Sequence, residues 1–136
     1  NGAVITPDGS TLIVGETMGL AYTAFTIADD GTLVDRRTWA TLDGVAPDGC
    51  ALDADGRIWA ADAFGTRCVL VAEGGAIVDE VAAPEGLAIY ACMLGGDDGR
   101  TLLLCAAPDY LEENRRNTRE AVLLTTTVDV GRAGRP

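Results

Sequence analysis

The sequence predicts an all-β chain of β-propeller type, and three observations carry that expectation. An apolar hairpin with a glycine in its turn recurs, first as residues 1–6, Pro7-Asp8-Gly9-Ser10 and 11–16, then as 49–53, Ala54-Asp55-Gly56 and 57–62. A worn version follows as 87–94, Gly96-Asp97-Asp98-Gly99 and 101–106. The turn glycines Gly9, Gly56 and Gly99 stand 47 and 43 residues apart. Four strand-like runs fill each of the first two periods, and a period in the forties with four strands is the signature of propeller blades. A sandwich also has short strands, but gives no reason for one hairpin to return.

In the first unit, residues 1–6 and 11–16 form the hairpin, and the second run is apolar enough to predict burial on both faces. Residues 22–27 follow, then a turn at Ala28-Asp29-Asp30-Gly31 and the charged run 32–39, suited to an outer edge. The second unit repeats the plan, with 67–72 as its third strand and 76–81 as its outer one. The third has the worn hairpin and a late strand at 121–128, after a polar interruption at 108–120. That interruption reads first as a solvated insertion and second as a substrate lid. Residues 131–136 read as a loose tail. Approximate blades are 1–45, 46–84 and 85–130. Natural propellers close with ~4 to 8 blades, so three require a longer chain or a second copy to complete the ring.

Composition narrows the function. The formal net charge of −11 opposes nucleic acid and anionic membrane as partners, since both need a cationic face. No apolar run reaches the ~18 residues of a membrane span. All ten basic residues are Arg, which coding bias explains. The four cysteines Cys50, Cys68, Cys92 and Cys105 form no C-x-x-C pair, and the chain has no His. A structural zinc site is therefore not expected. The thiols read as small buried hydrophobes in a reducing, cytoplasmic setting.

Without His, no Ser-His or Cys-His nucleophile can form within the chain. Neither Gly74-Gly75 nor Gly95-Gly96 leads into a Lys-bearing helix, which excludes a phosphate loop. What remains is the chemistry of carboxylates and amides. Asn1 and Asp48 each precede the glycine that opens an inner strand, in Asn1-Gly2-Ala3 and Asp48-Gly49-Cys50, and stand 47 residues apart. Inner strands line the propeller channel, so these two side chains converge on one channel mouth. Two oxygen donors there suit a hard divalent cation, and turn capping is the alternative role. Glu16 and Asp62 end the second strands of their units, where a structural role is expected. Asp8, Asp55 and Asp98 read as turn residues, and Trp39 and Trp59 as packing between blades.

The ordered set Asn1-Gly2-(x)₄-Pro7-Asp8-Gly9, Pro47-Asp48-Gly49-(x)₃-Asp53-Ala54-Asp55-Gly56-(x)₂-Trp59-Ala60 and Ala91-Cys92-Met93-Leu94-Gly95-Gly96-Asp97-(x)₂-Arg100-Thr101-Leu102 resembles the SMP-30/gluconolactonase/luciferin-regenerating family across nearly the whole chain. The likeness is to the C-terminal half of those proteins, and implies a six-bladed propeller of which this chain supplies about three blades. It implies a metal-dependent hydrolase opening a sugar lactone. One divalent ion (Ca, Zn, Mg or Mn) would be held by Asn1, Asp48 and a Glu outside this chain, with Asp48 also the general base. The implied partners are a small sugar lactone and a missing N-terminal half-propeller or second copy. The alternatives are a non-catalytic ligand- or protein-binding propeller, or a related esterase or organophosphate hydrolase. Two departures bear on the substrate: Ala91 replaces a small polar residue, and the Met18-Gly19-Leu20-Ala21 loop lacks a basic one.

Overall fold

Alternation of side chains along a strand sends successive residues to opposite faces, and this chain uses both faces of its middle sheet. The computed structural model describes residues 1–134. The first sheet comprises β1 (Ala3–Ile5), β2 (Thr11–Glu16), β3 (Ala21–Ile27) and β4 (Leu33–Thr41), with a 3-10 turn at Thr17–Gly19. The second comprises β5 (Pro47–Leu52), β6 (Ile58–Asp62), β7 (Arg67–Val71) and β8 (Ile77–Ala82). The third comprises β9 (Ala88–Gly95), β10 (Thr101–Ala107) and β11 (Val122–Thr127), with the one-turn helix α1 (Glu112–Arg115) between its last two strands. In each sheet the strands follow chain order and pair antiparallel, the meander of a propeller blade.

Two layers of core lie between the three sheets. Cys50, Leu52, Ile58, Ala60, Val69 and Val71 leave the middle sheet on one side and meet Ile13, Tyr22, Ala24, Trp39 and Ala40 of the first sheet. Ala51, Trp59, Ala61, Cys68 and Leu70 leave on the other side and meet Ile89, Cys92, Leu94, Leu102, Leu104 and Ala106 of the third. Both tryptophans therefore pack between sheets, and Trp39 meets Tyr22 edge to face with ring centroids 5.8 Å apart. The apolar run of β2 is buried on one face only: Ile13 and Gly15 are buried, while Leu12 and Val14 are half-buried. Its expected burial on both faces belongs to a strand with a sheet on each side, which only the middle sheet has among the described residues.

The hairpin turns are locked by acids that differ in position between units. In the first, Asp8 Oδ1 accepts the Ser10 N–H at 3.1 Å. In the third, Asp98 Oδ1 accepts the Arg100 N–H at 3.0 Å. In the second the work falls to Asp53, not Asp55. Asp53 is fully buried, and its Oδ1 accepts the Asp55 and Arg57 N–H groups at 3.0 and 2.9 Å. Its Oδ2 accepts the Arg57 Nε–H and pairs with the second guanidinium nitrogen, both at 2.8 Å. Asp55 is exposed and adds a looser pair with Arg57 at 3.2 Å.

The expected loose tail is tied down over its described part. Val128 N–H bonds Arg100 O at 2.9 Å, Ala54 N–H bonds Gly131 O at 2.8 Å, and the Arg132 and Ala133 N–H groups bond Gly99 O and Leu52 O, both at 3.0 Å. These residues meet the ends of two sheets, whose backbone groups would otherwise lack partners. Arg135 and Pro136 of that tail lie outside the described residues.

All four cysteines are free thiols. Cys68 and Cys92 are buried, the Cys92 thiol donates to Trp59 O at 3.3 Å, and burial pushes the Cys50 thiol up to about 11. Cys105 is half-buried. A thiol-reactive dye at pH 8 is expected to label Cys105 first, and Cys50, Cys68 and Cys92 only on unfolding; mass mapping of the labelled peptides checks the order. Replacing Asp53 with Ala leaves the Arg57 cation and two turn N–H groups without their acceptor. A loss of about 2–3 kcal/mol in urea unfolding is expected, less than a wholly buried pair costs because Arg57 keeps contact with water. Asp53→Asn retains the Oδ1 acceptor and should lose less.

Candidate metal and substrate site at the inner-strand mouth

The inner strands β1, β5 and β9 run side by side and approach most closely at one end, where the residues are small. Gly2 donates its N–H to Asp48 O at 3.1 Å, and a side-chain carbon at Gly2 would fall 2.4 Å from that oxygen. A side-chain carbon at Gly49 would fall 2.7 Å from Ala91 Cα and 2.8 Å from its Cβ. Glycine is thus required after Asn1 and after Asp48 by the packing of one inner strand on the next. The small Ala91 belongs to the same contact.

Asp48 sits on a bulge. Pro47 pairs with Asp62 and Cys50 with Ala60, so Asp48 and Gly49 together face the single residue Ala61. A bulge re-aims a side chain out of the regular pleat. Pro47 is itself held: its carbonyl accepts the Thr17 hydroxyl at 2.8 Å, linking the 3-10 turn of the first sheet to this mouth. The Asp48 carboxyl is half-buried, and burial raises it above the ordinary carboxylate value against the opposing pull of the Asn1 carboxamide and of the Gly49 N–H. No ion pair joins Asp48 to a described cationic side chain. The structure therefore brings Asn1 and Asp48 together, as their spacing anticipates.

The other acids are occupied elsewhere. Glu16 accepts from the Thr23 hydroxyl and pairs with Arg36 at 3.3 Å. The buried Asp62 accepts the Ala46 N–H at 3.1 Å and lies 3.6 Å from the Arg67 guanidinium. Both are structural, one on a strand pair and one on the loop beside the mouth.

The donor set at the mouth is one carboxylate and one carboxamide, with no third His, Cys, Asp or Glu joining a metal-binding group among the described residues. Its chemistry fits a hard divalent ion: two oxygen donors, one of them a carboxylate with no ion pair to a described cationic side chain. Two donors leave most of the coordination shell of such an ion to be filled from elsewhere.

An aromatic arc borders the same mouth and escapes the motif reading. Tyr90 of β9 meets Tyr110 edge to face with ring centroids 6.0 Å apart, and Tyr110 meets Phe64 at 6.4 Å. Tyr110 comes from the 108–120 segment, which is pinned by the Arg115 pairs to Asp109 at 3.3 Å and Glu120 at 2.8 Å. Nothing local in the sequence signals this meeting of three segments. Below the mouth, a cavity of about 690 Å³ follows the inner strands and is lined by Val4, Ile5, Leu52, Met93 and Leu94, among others. It is an open apolar trough, and neither Asn1 nor Asp48 lines it.

Comparison with known proteins agrees with this geometry. Residues 1–108 match the family described as SMP-30/Gluconolactonase/LRE-like region. A 6-deoxy-6-sulfogluconolactonase of Pseudomonas putida is 29% identical over 120 residues, covering 86% of this chain and 38% of that protein. Among solved structures, a gluconolactonase of Xanthomonas campestris superposes with a TM-score of 0.65 at 28% identity, over 79% of this chain and 35% of its own. A luciferin-regenerating enzyme gives a TM-score of 0.77 at 18% identity, over 96% and 46%, and shows the shared fold. The chain spans less than half the length of each of these relatives. It belongs to the SMP-30/gluconolactonase/LRE-like family, with the architecture of about three blades of a six-bladed β-propeller.

Proposed function

We propose that this chain is the C-terminal half of a propeller that, when complete, is a divalent-metal-dependent lactonase opening a sugar lactone. The observation that carries the proposal is Asp48: a half-buried carboxylate on a bulge, beside Asn1, without an ion pair to a described cationic side chain, in a family whose relatives include named gluconolactonases. Asn1 and Asp48 are the ligands this chain offers. The bound ion would supply Lewis acidity toward the lactone carbonyl. Asp48 takes a proton from the attacking water as its oxygen bonds to the carbonyl carbon. The ring C–O bond then breaks, and the proton passes to the leaving alkoxide, giving the open hydroxy acid.

The apolar trough supports the need for a second half. Ile5 and Met93 along it are 55% and 42% exposed. Blades from the N-terminal half, or from a second copy, would cover these side chains and bring the remaining ligands. This chain by itself should therefore bind Ca²⁺ only at about millimolar concentration or weaker, as a two-donor site does. Micromolar binding by the monomer in calorimetry would refute the shared site.

In the complete protein, Asp48→Ala is expected to lower kcat/KM for δ-gluconolactone by at least about 10²-fold, the usual worth of a positioned base. Circular dichroism should show the fold intact. Hydrolysis that survives the substitution with metal binding unchanged would exclude Asp48 as base and ligand. Hydrolysis of aryl esters or phosphotriesters in preference to lactones would move the protein to another hydrolase class, and binding without turnover would make it a ligand-binding propeller.

A further inference from the structure

The three inner strands deliver three side chains to the mouth, and the third has had no role. Pro47 and Cys50 flank the bulge of β5, which sets Asp48 and Gly49 opposite the single residue Ala61. In β9, Ile89 pairs with Ala106 and Ala91 with Cys105, which leaves Tyr90 as the extra residue. The two bulges fall at the same step of their strands, two residues before Cys50 and Cys92. The backbones also touch there, since a side-chain carbon at Gly49 would stand 3.1 Å from Tyr90 O. Tyr90 thus occupies in the third sheet the station that Asp48 holds in the second.

What surrounds Tyr90 favours one kind of ligand. Behind it stand Tyr110 and then Phe64, each of them 61% exposed, drawn from the 108–120 segment and the loop after Asp62. Three segments converge to display aromatic surface beside a carboxylate, although large apolar side chains left in water are disfavoured. The 108–120 segment is held by Arg115, which is paired with Asp109 and Glu120. Burial, together with the nearby Asp109 carboxylate, raises the Tyr90 hydroxyl above its ordinary value.

We propose that Tyr90, backed by Tyr110 and Phe64, is the specificity element of the site, stacking on the C–H face of a neutral ring substrate while its carbonyl carbon faces Asp48. A sugar lactone has that form: hydroxyl groups around its rim and C–H bonds across its face. This inference rests on the lactonase reading. It adds that discrimination among lactones is exerted from this half of the propeller, through a residue absent from the Asn-Gly and Asp-Gly pattern of the first two units.

The test uses the complete protein, with δ-gluconolactone as substrate and calorimetric Ca²⁺ titration as a separate readout. Tyr90→Ala should raise KM about five- to tenfold, the worth of one aromatic contact, with kcat changed less than about threefold and the Ca²⁺ affinity unchanged. Tyr90→Phe should keep KM within about twofold, because the ring face supplies the contact. Tyr110→Ala, at an exposed position that folding tolerates, should shift KM in the same direction by a smaller factor. An unchanged KM in both alanine variants, or a loss of Ca²⁺ affinity in Tyr90→Ala that matches the loss of activity, overturns the inference and leaves the lactonase reading standing. A wild-type protein that hydrolyses no lactone overturns both.

Discussion

Burial of the middle sheet on both faces is the constraint on which the rest of the structure depends. Flanked by a sheet on each side, β6 has no solvent face: all five of its residues are buried and its one acid, Asp62, is paired, while the outer strand β8 stays largely exposed. The two core layers differ in thickness along each blade. Near the channel the contacts are Gly2 on Asp48 and Gly49 on Ala91; farther along the sheets they are Trp39, Trp59 and Leu70. Sheets that converge at one end and part at the other stack around an axis. The taper of side-chain size, small at the inner strand and large beyond it, is therefore what bends a stack of sheets into a propeller. It also clamps the backbone at the mouth, where Gly2 and Gly49 lie too close to their neighbours to admit a side chain.

Acidic residues divide by whether they have a partner. A net charge of −11 looks like an excess of candidates, yet most of those the sequence singles out are bound to the fold. Asp53 closes a hairpin with Arg57, Asp62 holds the loop to Ala46, Glu16 joins Thr23 to Arg36, and Asp8 and Asp98 cap their turns. A carboxylate that already accepts from the fold's own donors keeps fewer of its roughly four lone-pair sites for a ligand. Asp48 is half-buried and pairs with no described cationic side chain, a combination that is costly unless something else neutralises it. The site is thus marked by an imbalance that the rest of the chain avoids.

Repeats made the architecture legible. The hairpins and their glycines gave the sheets in order, since Gly9, Gly56 and Gly99 all adopt the positive φ that such turns require. The same spacing paired Asn1 with Asp48, because a motif at a fixed step in each unit lands at a fixed height in each sheet. Features that break the repeat were not legible. Tyr90 replaces the Asn or Asp of the earlier units, and the bulge that makes it equivalent to Asp48 depends on pairing with β10, which no local pattern encodes. Tyr110 reaches Tyr90 across twenty residues of chain through a segment whose composition suggests only solvation. Asp53 and Asp55 are chemically alike in the sequence, and only depth separates the buried lock from the exposed neighbour.

The two bulges show how one backbone device can carry two functions. Each adds a residue at the mouth of an inner strand and turns its side chain out of the pleat; the residue type then decides what the position does. In β5 the bulge holds an acid, a side chain suited to a cation or a proton. In β9 it holds an aromatic, a side chain suited to the face of a ring. Because Gly49 lies against Ala91, neither strand can shift without the other, and the distance between the two stations is set by backbone contact rather than by side-chain rotamers. Under the lactonase reading proposed above, coupling of that kind would make reaction and recognition geometrically dependent. Enlarging Ala91 would press directly on Gly49, and so would displace the acid and the aromatic together.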